Sequence, residues 1–329
     1  MKLKSLEERE LISAIRKDFS GSRQGLILGI GDDAAVVKGG RKSFILTKDM
    51  LFEDVHFISS LHPPYLLGRK SLNVNLSDIA AMGGEPRYAL LGLGFPPRAD
   101  SGWVNEYFSG FKSAADEWGV ALIGGDLSQS KKIAISVTVV GEGRNIIQRR
   151  GAKPGHLLFV SGSLGDAKQG FLLLRRGIKL KQDERADPLI KAFLDPVPRI
   201  RLAREISRRK LASSMIDISD GLSVDLNHLC QESGCGAEVD QEKLPLSTEL
   251  RFWQRRPYEI ALHGGEDYQL LFSVSPENQK DISGLQKRYR ITLIGRMSRK
   301  KGIYLVNKRG EKKQLKIKGY QHFSGVRLE

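Results

Sequence analysis

The sequence predicts a two-domain chain of mixed α/β (α+β) class, and three observations carry that reading. At 329 residues the chain is longer than one small core organises. Helix-type apolar periodicity alternates with short β-branched runs along its length. A polar stretch rich in Arg and Gly, Gly143 to Pro154, parts two such series, which places the domains at 1–146 and 147–329.

Each element follows from local pattern. Met1 to Phe19 sets Leu11, Ile12, Ile15 and Phe19 among Glu7, Glu8 and Glu10, an amphipathic helix. Gly25 to Val37 and Ser43 to Thr47 read as strands parted by a Gly39-Gly40 turn. Leu72, Leu76 and Ile79 recur at helical spacing within Leu66 to Ala81, and Gly83-Gly84 with Pro86 stop that helix. Tyr88 to Phe95 is a buried strand ended by Pro96-Pro97, and Asp100 or Ser101 caps a helix running to Trp118. Ala121 to Ile123 and Lys132 to Gly141 are strands that close the first unit. The second unit opens with the strand Leu157 to Ser161, the turn Gly162-Ser163-Leu164-Gly165 and a helix Asp166 to Arg176. Gly177 to Asp187 reads as a surface loop, helices near Ile200 to Arg209 and Leu222 to Ser233 flank Asp217, and strands near Leu270 to Val274 and Ile291 to Ile294 finish the core. The basic tail Lys300 to Lys318 reads as a hairpin.

Composition narrows the class. With 40% hydrophobic and 28% charged residues the chain reads as globular and soluble. No apolar run reaches the roughly 18 residues of a membrane span, and the opening segment lacks a secretory apolar centre, so a cytoplasmic location is expected. Cys230 and Cys235 are the two cysteines; a lone C-x₄-C reads as two reduced thiols near a helix end. The balance of 53 basic against 38 acidic residues leaves +15, which raises nucleic-acid binding. The basic runs are not interleaved with stacking aromatics, however, and a solvated basic surface that attracts anionic substrates is the preferred reading.

The chemistry lies in six short acidic clusters: Gly31-Asp32-Asp33, Thr47-Lys48-Asp49, Asn73 to Asp78, Gly124-Gly125-Asp126, Asp217-Ile218-Ser219-Asp220 and Gly264-Gly265-Glu266-Asp267. Nearly all sit beside glycine or hydroxyl residues at the end of an apolar run. Mg²⁺ takes one or two carboxylates plus phosphate oxygens and water, so this distribution suits an enzyme that holds metal ions around a polyphosphate. Singly, each cluster also has an ordinary reading. Paired aspartates are common in turns; Ser219 or Asp220 can cap the helix that follows; Gly162 to Gly165 is either a tight turn or an anion cradle; His56 is a hydrogen-bonded structural residue on a strand-like segment.

Together, Ile30 to Ala35, Glu53 to Phe57, Asn73 to Gly84, Gly124 to Asp126, Arg149 to Ala152, Val160 to Asp166, Met215 to Gly221, Gly264 to Tyr268 and Gly319 to Phe323 resemble, in order, the thiamine-monophosphate kinases. The resemblance implies a fold similar to aminoimidazole ribonucleotide synthetase, with an N-terminal domain that pairs with its copy through a β-barrel-like interface in a homodimer and a C-terminal α+β domain. It implies ATP-dependent phosphorylation of thiamine monophosphate to thiamine diphosphate. Mg²⁺ would be held by Asp32, Thr47, Asp49, Asp78, Asp126, Asp217 and Asp220, with K⁺ as a further cation to test; Asp49, Asp126 and Asp220 would be the catalytic members. ATP would meet Gly125, Asp126, Arg149, Ser219 and Phe108, and thiamine monophosphate would meet His56, Glu266 and Tyr320 or Phe323. A selenophosphate synthetase-like activity would need a reactive cysteine near the N-terminus, and none precedes Cys230. A basic nucleic-acid-binding protein would account for the charge and not for the acidic clusters. One departure stands out: Lys48 replaces the second Thr of the family's Thr-Thr-Asp, so its ammonium either points away from the metals or supplies part of their charge.

Overall fold

The structure, a computed structural model, describes residues 8–19, 24–97 and 100–319. Two compact units emerge. One comprises the described residues through Ile79 and Gly84–Arg144; the other comprises Ala80–Gly83 and 145–319.

The N-terminal unit contains α1 (Glu8–Asp18), β1 (Leu26–Leu28), β2 (Ala35–Lys38), β3 (Ser43–Phe52), α2 (Pro64–Ala81), β4 (Glu85–Phe95), α3 (Ser101–Trp118), β5 (Ala121–Gln129) and β6 (Ala134–Gly143). Its sheet runs β1-β2-β3-β6-β4-β5. Only the β4–β5 pair is parallel. Alternation along β3 gives the sheet two distinct faces. Ile45, Thr47 and Leu51 are buried on one face, while Phe44, Lys48, Met50 and Phe52 are exposed on the other. The register carries the open face across the sheet, since Lys48 pairs with Thr138 and Thr138 with Leu90. Within one chain this sheet is open, with β1 and β5 as edges.

The helices α2 and α3 cross at glycines. A Cβ at Gly68 would lie 2.0 Å from Tyr107 O, and one at Gly110 would lie 1.8 Å from Tyr65 O, so the two backbones touch where no side chain fits. Asp100 caps α3 by accepting from Trp103 N (3.0 Å), and Gly119 ends it in the left-handed conformation, as that helix's sequence signals require.

The C-terminal unit contains β7 (Leu157–Ser161), α4 (Asp166–Arg175), α5 (Asp187–Leu194), α6 (Ile200–Arg208), β8 (Ala212–Ile218), α7 (Leu222–Ser233), β9 (Gly236–Asp240), α8 (Thr248–Trp253), α9 (Pro257–His263), β10 (Gln269–Val274), α10 (Gln279–Gln286), β11 (Ile291–Ser298), β12 (Ile303–Val306) and β13 (Lys312–Gln314). Its sheet is ordered β13-β12-β9-β11-β7-β10-β8. Every residue of β10 is buried, so this strand forms the centre of the core. The basic tail does form a hairpin, β12 against β13. Cys230 and Cys235 are buried thiols at the end of α7. No helix among the described residues is long and apolar enough to cross a membrane.

Candidate functional site

In the N-terminal unit the acidic residues gather between the covered face of β3 and α2. Alternation on β3 turns Thr47 and Asp49 to the same face and sends Lys48 to the other. Lys48 therefore points away from Thr47, Asp49 and Asp78, whereas Asp126, in the row Met50–Ser136–Gly92–Asp126, shares its open face. On α2, Asn75 and Asp78 are three residues apart and share a helix face. Thr47 Oγ1 donates to Asp78 Oδ2 at 2.6 Å, and the Asp49 amide donates to Asn75 Oδ1 at 2.9 Å. Asn75 is aimed in turn: its Nδ2 donates to Ser71 O (3.0 Å), and Ser71 Oγ meets Tyr107 Oη at 2.8 Å. A buried polar file thus runs from α3 through α2 to the β3 backbone and fixes where Asp49 and Asp78 stand. Such a file is stabilising only when its members are satisfied.

Carboxylate oxygens of Asp33 and Asp78 approach within 4.8 Å of each other. The Asp33 amide donates to Asp32 Oδ1 (3.1 Å), so Asp32 is engaged in the turn while Asp33 stands beside Asp78. The resemblance implies Asp32 as a ligand, and the geometry brings Asp33 beside Asp78. Burial pushes the Asp49 carboxyl up from 3.8 to about 6. Crowded carboxylates of this kind favour a cation among them, and the donor set, carboxylate and hydroxyl oxygen only, fits a hard divalent ion such as Mg²⁺.

Asp126 lies elsewhere in this unit. The Gly124-Gly125-Asp126 motif is part of strand β5, paired in parallel with Leu90, Leu91 and Gly92, and does not follow a strand ending at Ile123. A Cβ at Gly125 would fall 1.9 Å from Leu91 O, so that position admits only glycine. Asp126 is exposed and accepts from Ser128 Oγ (3.0 Å). With β6 and β4 between β3 and β5, three strand spacings separate Asp126 from Asp49, roughly 14 Å. Phe108 is half-buried on α3, with its ring edge-on to Tyr107 (5.8 Å).

His56 is not on a strand. It sits in a turn closed by the Glu53–Phe57 bridge, because Asp54 takes φ +65° and turns the chain. The Phe52 amide donates to His56 Nδ1 (3.0 Å), which makes Nδ1 the acceptor and leaves Nε2 to carry the proton in the neutral ring.

In the C-terminal unit two loops are hydrogen-bonded to each other. Asp217 is buried near the end of β8, where it pairs with Leu270. The following turn is not capped by Ser219 or Asp220: Gly221 opens α7 at φ +112°, and Asp225 Oδ2 accepts from the amides of Asp220 (3.2 Å) and Gly221 (3.0 Å). Against this turn lies the Gly264–Tyr268 loop, whose Glu266 amide donates to Ser219 O (2.7 Å) and Tyr268 amide to Ile218 O (2.8 Å). Glu266 and Tyr268 hold φ of +68° and +47°, conformations that persist only where surrounding contacts enforce them.

Asp267, between them, turns inward. Its carboxylate accepts from the amides of Gly165 (2.7 Å) and Ala167 (3.3 Å), and burial pushes its pKa up to about 8 against those two donors. The glycine turn at 162–165 is therefore a helix start capped by the protein's own carboxylate. Arg149 is half-buried, and its carbonyl accepts from Ser233 Oγ (3.1 Å). Tyr320 and Phe323 lie outside the described residues. The residue before Tyr320 lies against the acidic turn, since a Cβ at Gly319 would fall 2.6 Å from Asp220 O.

Comparison with known proteins places these features in a family. The family model "AIR synthase related protein, N-terminal domain" matches residues 31–143, and its C-terminal counterpart matches 153–308. The chain is 39% identical to the thiamine-monophosphate kinase of Aquifex aeolicus (strain VF5), over 98% of this chain and 100% of that protein. It is 35% identical to that of Escherichia coli (strain K12), over 96% and 98%. A solved structure of "AaThiL complexed with AMPPCP and TMP" superposes with a TM-score of 0.88 at 39% identity, covering 98% of this chain and 99% of that one.

Proposed function

The chain belongs to the AIR synthase related proteins and, among them, to the thiamine-monophosphate kinases, and from that premise we infer that it transfers the γ-phosphoryl group of ATP to thiamine monophosphate, giving thiamine diphosphate and ADP. The observation that carries this reading is the near-full-length match to a kinase solved with a nucleotide analogue and TMP, joined to the oxygen-only donor cluster at Asp33, Thr47 and Asp78.

On this reading Mg²⁺ would be held in the N-terminal unit by Asp32, Asp33, Thr47, Asp49 and Asp78, with Asp126, three strands away, as a separate ligand candidate, and in the C-terminal unit by Asp217 and Asp220. When bound, it supplies neutralisation of phosphate charge. The chain's own residues position the reactants. Asn75 fixes the β3 backbone that carries Asp49, and Asp225 fixes the amides ahead of α7. Gly125, Arg149, Ser219 and Phe108 are the nucleotide contacts. His56, Glu266 and Tyr320 or Phe323 are the acceptor contacts, His56 offering its Nε2–H. The acceptor is a phosphate monoester, already ionised near neutral pH, so no residue is assigned as a general base. Transfer would be direct and in line, as the family resemblance implies, with positioning and charge neutralisation supplying most of the catalysis.

We propose a homodimer, supported by surface chemistry. The open face of the N-terminal sheet exposes Phe44, Met50, Phe52, Tyr88 and Leu90, and the edge strand β5 exposes Ile123 and Leu127 at 58% and 67%. An exposed face carrying several large apolar side chains beside a sheet edge is a site of association, and a second copy of the same sheet would close it into a barrel-like interface. We place the enzyme in the cytoplasm.

The test is conversion of thiamine monophosphate with ATP, with and without Mg²⁺ and with K⁺ varied, against free thiamine as acceptor. Thiamine diphosphate should form only from the monophosphate and only with the divalent ion. Equal turnover of free thiamine, or turnover in excess chelator, would contradict the reading.

A further inference from the structure

Lys168 occupies the third position of α4, in the first turn of a helix, where the macrodipole disfavours a cation. It is also half-buried. Burial holds its ammonium below the ordinary lysine value; the nearby Glu266 carboxylate partly offsets this, and Arg175 adds to it. A lysine placed against both the helix dipole and its own desolvation is not there for the fold alone, because an alanine at this position would avoid both costs.

Its surroundings point to an anion. The stem packs on the loop that carries Glu266: a Cβ at Gly264 would lie 2.8 Å from Lys168 Cβ and 3.3 Å from Cγ. The ammonium stands 5.2 Å from the centroid of the Phe171 ring, over which the Arg175 guanidinium also sits at 6.0 Å. Two cations thus share one aromatic ring next to the loop that is hydrogen-bonded, through Glu266 N and Ser219 O, to the Asp217–Asp220 turn. A half-buried ammonium resting near an aromatic face beside this loop is placed to receive an anionic ligand group.

The acceptor assigned above is zwitterionic, with a thiazolium cation and a phosphate anion. Glu266 offers a carboxylate suited to the first. We propose that Lys168 binds the phosphate of thiamine monophosphate, so that Lys168 and Glu266 read the two charges of one molecule. The proposal rests on the kinase reading and deepens it by assigning the residue that distinguishes the phosphorylated acceptor from free thiamine.

The experiment is calorimetric titration of the full chain and of Lys168→Ala and Lys168→Arg with thiamine monophosphate and, separately, with free thiamine. Lys168→Ala should weaken thiamine monophosphate about tenfold, the loss of one charge-assisted contact. Its affinity for free thiamine and its KM for ATP should stay within twofold of wild type, and Lys168→Arg should recover most of the loss. Unchanged affinity for the monophosphate overturns the proposal. So does equal weakening of both ligands, which would make Lys168 a support for Glu266, or a shift confined to the KM for ATP. Wild-type protein that binds no thiamine monophosphate would instead overturn the kinase reading itself, and the two failures are told apart by that control.

Discussion

The two units carry charge in different ways. Residues 1–144 hold 18 Lys and Arg against 17 Asp and Glu, whereas residues 145–329 hold 35 against 21. Almost all of the +15 therefore belongs to the C-terminal part of the chain. Yet the nearly neutral N-terminal unit is the one that crowds Asp33, Thr47, Asp49 and Asp78 beside a buried polar file. Net charge and local charge answer different questions: the first sets long-range attraction for anionic substrates, the second decides where a cation must sit. A unit balanced overall but acid-rich at one point is where the proposed cation site lies.

The largest test of this contrast is at that point. Asp49→Asn or Asp78→Asn should lower turnover by roughly a thousandfold, about 4 kcal/mol of transition-state stabilisation, while far-ultraviolet circular dichroism stays unchanged. Near-normal turnover in both would remove the acidic cluster from the chemistry.

A second, smaller effect concerns acid stability of the same unit. His62 is buried, and burial together with the Lys70 charge lowers its pKa from 6.5 to about 3. Above pH 6.5 the imidazole is neutral both folded and unfolded, so it contributes no pH dependence there. Between pH 6.5 and about 3 the unfolded chain takes up a proton that the fold refuses, and stability falls as pH drops. The slope is at most about 1.4 kcal/mol per pH unit. Denaturant melts of wild type and His62→Gln across pH 7 to 4 should show that slope in the first and its loss in the second.

A third change addresses assembly. Leu127→Lys on the exposed edge of β5 should shift a dimer toward monomer in sedimentation-velocity runs at micromolar protein; an unchanged dimer would direct attention to another surface. The smallest expected effect is at Lys48. Because it faces the open side of the sheet, Lys48→Thr should alter turnover less than twofold and leave the number of bound metal ions unchanged.

Much of this was legible in the residues. Asp100 and Gly119 bracket α3 as capping chemistry demands, and the apolar spacing of Leu222, Leu226 and Leu229 locates α7. Other features depended on tertiary context. Gly124-Gly125 has the composition of a turn, but pairing with β4 keeps β5 extended through it and Gly125 is needed for close backbone approach. Helix α5 opens at Asp187-Pro188, a helix-start signal masked by the polar run Gly177 to Asp187 that reads as loop. Which of Asp32 and Asp33 stands beside Asp78 is set by the turn, and sequence cannot separate two adjacent carboxylates. The orientation of Lys48 was readable all along from the period of two on β3, once that strand is known to continue through Phe52.

The most direct measurement is of cation binding itself. Titration of the full chain with Mn²⁺ in the presence of a non-hydrolysable ATP analogue, followed by electron paramagnetic resonance, should reveal saturable tight sites in wild type and in Lys48→Thr. At least one of those sites should be lost in Asp49→Asn and in Asp78→Asn. Identical Mn²⁺ occupancy in all four proteins would contradict the account.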